Sequence, residues 1–274
     1  MSRNTTWARA GDGRARPLAA VLLTGLLAGC APPATAGSNP PSVGATGTGA
    51  VTSSPVTTTA PVPSAPVSPR PVSYPAEGGG RWAFADGEPP TAAGPGRLLR
   101  YRVAVERDIL GLPVAEFAAE VTRTLSDARG WTAGGTWRLR RVGPRQRADF
   151  TVYLVTPGTR DELCQDIPDG YTSCRNGDRV VINVARWVKG VPGYGASLAV
   201  YRRYVINHEV GHRLGLGHEL CPGRGRPAPV MQQQTLGLHG CTANAMPYLD
   251  GRRYSGPPGA YADPIPPRER GRPG

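Results

Sequence analysis

One short stretch restricts this chain more than any other: His208-Glu209-Val210-Gly211-His212-Arg213-Leu214-Gly215-Leu216-Gly217-His218. Four residues is close to one helical turn, so on a helix His208 and His212 stand one above the other. Their axial separation of ~6 Å lets both imidazoles reach a single ion through bonds of ~2.0–2.1 Å. Glu209 follows the first of them, about 100° round the helix, beside the ion but not on it. Gly215 stands where the helix has to stop, because a residue without Cβ takes positive φ and lets the chain swing away. That turn brings His218 back as a third ligand. Three of the four histidines in the chain lie in this pattern, which leaves little room for accident. Tyr201, Tyr204 and Val205 continue the ligand face back along the helix, so the site is expected on a buried, rigid element from about Leu198 to Leu214.

Three nitrogen ligands leave a position open, the catalytic rather than the structural arrangement of zinc. One catalytic Zn²⁺ is therefore the expected cofactor. It lowers the pKa of water toward ~7, and Glu209 is placed to take the proton and pass it to a leaving amine.

The pattern HExxHxxGxxH resembles the metzincin clan of zinc metallopeptidases. The resemblance implies an N-terminal subdomain with a twisted mixed sheet, the zinc helix, a smaller C-terminal subdomain and a methionine turn beneath the metal. Val230-Met231-Gln232 is the best match for that turn, with Met246 as the rival. Glu219, directly after the third histidine, resembles the astacin branch. That branch has a tyrosine two positions past the turn methionine, where this chain has Gln233. The oxyanion-stabilising role is thus left open among Gln232, Gln233 and Tyr248. Over a wider stretch the chain is similar to an exported, metzincin-like family of unassigned function from high-G+C Gram-positive bacteria. Tyr171-Thr172-Ser173-Cys174-Arg175, Val181-Ile182-Asn183, Arg186-Trp187, Asn207-His208-Glu209-Val210-Gly211-His212 and Ala228-Pro229-Val230-Met231 carry that likeness.

The N-terminus reads as an export signal, with arginines before an apolar run from Leu18 to Gly29 that is too short to span a bilayer. It closes on Leu27-Ala28-Gly29-Cys30, which resembles a bacterial lipobox and implies lipidation of Cys30 at the outer face of the cytoplasmic membrane. Residues 1–29 are expected to be the signal peptide. Residues 30–80, rich in Pro, Ala, Thr, Ser and Gly, form a disordered tether with nothing to bury. The four remaining cysteines, Cys164, Cys174, Cys221 and Cys241, suggest disulfides in an oxidising compartment. Three pairings are open, and closeness along the chain favours Cys164–Cys174 and Cys221–Cys241.

Within the expected domain, 96–250, residues 101–105 alternate as a half-buried strand. Residues 137–142, 149–155 and 179–184 are further strand candidates. Phe117, Val121 and Leu125 form one apolar stripe on a helix that starts near Pro113 and stops by Gly130. The fold class is α+β and metzincin-like, with a small twisted mixed sheet, two main helices and a loop-rich C-terminal subdomain. Residues 251–274, mostly Gly, Pro and Arg, are expected to be a disordered tail. Asn207 and Arg186 are guessed to support the ligands from behind, and His239 is expected to be a surface residue.

The net charge of +12 is scattered and nearly all arginine, with no nucleic-acid-binding motif, so no nucleic-acid partner is expected. The expected function is a lipid-anchored, monomeric zinc endopeptidase acting on a peptide or protein substrate. Two alternatives are a zinc hydrolase of cell-wall peptide or amide bonds and a non-catalytic, zinc-stabilised binding module.

Overall fold

The computed structural model describes residues 71–90 and 94–274. The expected export signal, Cys30 and most of the expected tether lie outside the described residues. Apolar alternation builds the sheet. β1 (Trp82–Phe84), β2 (Arg97–Glu106), β3 (Trp137–Arg141), β4 (Phe150–Val155), β5 (Cys174–Asn176) and β6 (Arg179–Asn183) form one mixed sheet in the order β1-β2-β4-β6-β5. Strands β2, β4 and β6 run parallel, and β5 is an antiparallel edge. The long β2 is shared along one side: residues 97–101 pair with β3, and residues 104–106 pair with β1.

Four helices accompany the sheet: α1 (Val114–Leu125), α2 (Pro157–Cys164), α3 (Val184–Lys189) and α4 (Leu198–Arg213). Strand residues point alternately to opposite faces, and each face has its own cover. Val103, Val105, Val152, Leu154, Val180 and Ile182 join the main core with α1 and α4. Val155 and Val181 face the other way, toward Cys164 at the end of α2. The apolar stripe Phe117, Val121 and Leu125 on α1 is buried as its spacing requires. Helix α4 is capped by Ser197, whose side chain accepts from the Val200 amide.

The structure corrects the sequence reading in three places. Order begins well before residue 96 and within the expected tether 30–80: β1 pairs with β2, Ser73 bridges to Leu110, and Tyr74 is buried in the core. The first helix ends at Leu125, short of Gly130. The segment 251–274, expected to be disordered, is packed onto the domain. It contains β8 (Arg252–Arg253), paired with β7 (Tyr248–Leu249). Arg268 ion-pairs with Asp161 and Glu77, and Glu269 with Arg186 and Lys189. Tyr74 and Arg272 exchange both of their backbone hydrogen bonds. The tail is held by charge and backbone pairing rather than by apolar burial, so its composition conceals its order.

Both disulfides form as chain proximity favoured, Cys164–Cys174 and Cys221–Cys241. The first ties the end of α2 to β5. The second closes the loop that contains Met231. Among the described residues, no helix is long and apolar enough to cross a membrane.

Candidate metal centre

Helix α4 delivers His208 and His212 to one face, and Gly215, at φ 96°, ends the helix and returns the chain toward them. His218 then lies beside the other two. The Nε2 atoms of His208 and His218 each stand 3.1 Å from Nε2 of His212. His208 Nδ1 is 2.8 Å from the Val230 carbonyl oxygen, and His212 Nδ1 is 2.9 Å from that of Leu216. A carbonyl can only accept, so each Nδ1 carries the proton and each of these two Nε2 atoms presents a lone pair. Lone pairs facing each other at 3.1 Å repel unless a cation lies between them. The donor set therefore fits a metal ion, and these three residues are the group among the described residues that could hold one.

Electrostatics agree. Burial, with smaller contributions from neighbouring imidazoles, pushes the His208 pKa well below the ordinary histidine range. Burial and His212 push that of His218 down to about 4. Burial lowers that of His212 as well, so all three rings are neutral at pH 7, the form that binds metals. Glu209 is 4% exposed, and its Oε2 has no hydrogen-bond partner in the described structure. Burial pushes its carboxyl up to about 8 in the metal-free protein.

The site opens into a cleft of about 460 Å³ that contains the three histidines and Glu209. Its rim comes from four places: the segment after α2, strand β5, the loop that follows Met231, and Ile265 from the C-terminal segment. Arg160, 2% exposed, organises the first of these. Its guanidinium meets Asp161, Asp166, Asp169 and Thr172.

Met231 is fully buried beneath α4, its Sδ against Gly211 between the two helical ligands. Met246 instead lies by Asn207. Of the three residues considered for the oxyanion role, only Gln233 lines the cleft. Gln232 is buried and donates to the Gly237 carbonyl. The Tyr248 hydroxyl packs against Gly134. Neither guess for ligand support holds: Asn207 donates to Ala245 O, and Arg186 stacks on Tyr171 and pairs with Glu269. The real supports are the carbonyls of Val230 and Leu216, which sequence could not reveal because every residue has one. Glu219 accepts from Arg253 and from the Gly256 amide, and the Gly259 amide donates to the His218 carbonyl. The tail thus braces the third ligand. His239 pairs with Asp263 and stacks on Tyr261, apart from the three ligands.

Fold and site together define an α+β domain with a three-histidine, metal-competent cleft and an adjacent buried carboxylate. Residues 68–250 match the family described as "Protein of unknown function (DUF3152)", and the chain belongs to that family. No curated protein and no solved structure matches it. The bracing segment 251–274 falls beyond the matched region.

Proposed function

We propose that this protein is an exported, lipid-anchored zinc metallopeptidase of metzincin type. In this reading His208, His212 and His218 hold the ion and Glu209 is the general base. The observation that carries it is the pairing of converging imidazole lone pairs with an unpartnered, buried Glu209 carboxylate at the floor of an open cleft. Met231 beneath the ligand helix and the mixed sheet ahead of that helix support the metzincin assignment. Two disulfides suit an oxidising, extracytoplasmic setting. The lipid anchor rests on Leu27-Ala28-Gly29-Cys30 alone.

Bound zinc would supply Lewis-acid polarisation of the scissile carbonyl and a lowered pKa for the attacking water. The protein supplies the rest. Val230 and Leu216 fix the ring orientations of His208 and His212 through their carbonyls. Glu209 Oε2 accepts the proton of the attacking water and returns it to the departing amine. Its burial strips it of competing solvent. Gln233 is the side-chain amide at hand to donate to the developing oxyanion.

The test is incubation of the zinc-loaded full chain with a diverse peptide library, with Glu209→Ala run beside it. Cleavage by the wild type and not by the variant, at equal zinc content, supports the reading. Zinc retention without cleavage by either protein removes it and favours wall amides as substrates or a binding role.

A further inference from the structure

Water activation at the histidines leaves two features of the cleft without a purpose: a cation with no counterion and a pair of exposed isoleucines. The cleft has two arginines, and they differ. Arg160 is buried and saturated by three carboxylates, Thr172 and the Ile167 carbonyl. Arg175, at the middle of edge strand β5, is exposed, and among the described residues it has no hydrogen bond or ion pair. It lines the same cleft as Glu209 and His212. Glu209 makes no hydrogen bond or ion pair with it, and the two aspartates of the cleft are engaged elsewhere. Asp166 gives both oxygens to Arg160. Asp169 is engaged by Arg160, the Tyr171 and Thr172 amides and the Thr172 hydroxyl. A guanidinium with five free donors beside the site is a ready partner for a carboxylate.

The isoleucines form the second feature. Among the described residues three large hydrophobic side chains are exposed, Leu110, Ile167 and Ile265, and two of the three line this cleft. Ile167 is 83% exposed and follows α2, whereas Ile265 comes from the tail. Apolar side chains brought by distant segments to one cleft rim mark a contact surface rather than scattered exposure.

We infer that the cleft takes a peptide bearing both an acidic and an apolar side chain, the carboxylate bound by Arg175 and the apolar group by Ile167 and Ile265. This substrate class rests on the metallopeptidase reading, but the binding it requires is measurable without turnover.

The experiment uses the zinc-loaded full chain with Glu209→Ala, so that ligands survive. Fluorescence anisotropy is read with labelled, end-blocked hexapeptides that carry one leucine and one glutamate in every relative placement. Matched peptides replace Glu by Gln or Lys, or Leu by Ser. At least one Leu/Glu placement should bind about tenfold tighter than its Leu/Gln counterpart, as expected for a charge-assisted contact. Adding Arg175→Gln should bring that ratio near one, and Arg175→Glu should turn the preference toward Leu/Lys. Ile167→Ser with Ile265→Ser should remove the preference for leucine over serine. All three positions are exposed, and zinc content checks that the variants fold. The inference is overturned if Arg175→Gln leaves the Glu/Gln ratio unchanged or if no peptide binds at millimolar concentration. It is also overturned if the isoleucines matter only for binding vesicles of equal phosphatidylglycerol and phosphatidylcholine. Cleavage of the same peptides by the wild type is scored separately. Arg175-dependent binding without cleavage would remove the peptidase reading and leave the acidic ligand standing.

Discussion

Replacing Gly211 by alanine should destabilise the protein, although alanine is the best helix former and glycine among the poorest. Propensity alone favours the change by about 1 kcal/mol. The structure opposes it. A Cβ at Gly211 would overlap Met231 Sδ and come within 2.8 Å of the Trp131 ring. Neither neighbour has room to yield. Met231 is fully buried and Trp131 is 3% exposed, with its Nε1 donating to Asn207 O at 3.0 Å. Overpacking of this kind costs roughly 1–3 kcal/mol. Taking ~2–3 kcal/mol for a clash with two pinned groups and subtracting the propensity gain leaves a net loss of about 1–2 kcal/mol. For a domain of this size that lowers Tm by roughly 2–8 °C. A second effect follows from geometry: displacing Met231 moves Val230, whose carbonyl orients His208. Loosening that support should weaken metal affinity by about tenfold. Calorimetry of the metal-free chain and competition with a chromophoric chelator measure the two effects. A Gly211→Ala protein that melts higher than wild type, with unchanged metal affinity, would refute the packing argument.

Glu269→Ala should cost about 3 kcal/mol in urea unfolding, because it leaves the 2%-exposed Arg186 side chain without its carboxylate. A loss under half of that would mean stacking on Tyr171 suffices. Converting Cys221 and Cys241 to serine should cost about 3 kcal/mol, since the bridge spans 20 residues; an unchanged denaturation midpoint would count against it. The metal-free chain should lose stability as the solution is acidified. Burial holds the His218 pKa at about 4 in the fold, so the unfolded chain takes up the proton first, near 6.5. That contribution is complete above pH 6.5 and lost as pH falls through about 4. Urea midpoints at pH 7 and pH 5 should differ, and by less in His218→Ala.

The ligand set was legible because HExxHxxGxxH fixes residue types at spacings that only a helix and a glycine turn satisfy, and Gly215 takes the φ this requires. Strands β2, β4 and β6 were legible because Val, Ile and Tyr alternate or run together there. Strand β5, by contrast, is three residues of Cys, Arg and Asn, and its strand character comes wholly from pairing with β6. Helix α2 has a local start signal in Thr156 and Pro157, but at eight residues with Gly158 in its first turn it shows no apolar stripe, and the buried Glu106 carboxylate that binds both Thr156 N and the Thr159 hydroxyl lies 50 residues away. The order of the tail depends on partners more than a hundred residues away, such as Asp161 for Arg268. Local pattern carries no trace of such pairing.

The seam between Tyr74 and Arg272 gives the domain a mechanical character. Residues near the start of the described domain and those at its end lie side by side, joined by two backbone bonds of 2.9 and 2.7 Å. A pull on the segment preceding residue 71 meets this seam and the Ser73–Leu110 bridge before it reaches the sheet. The last residues of the chain are therefore the first to peel under tension. Because the same tail braces His218 through Gly259 and brings Ile265 to the cleft, strain applied there would reach the three-histidine cleft as a displaced His218 and a missing wall.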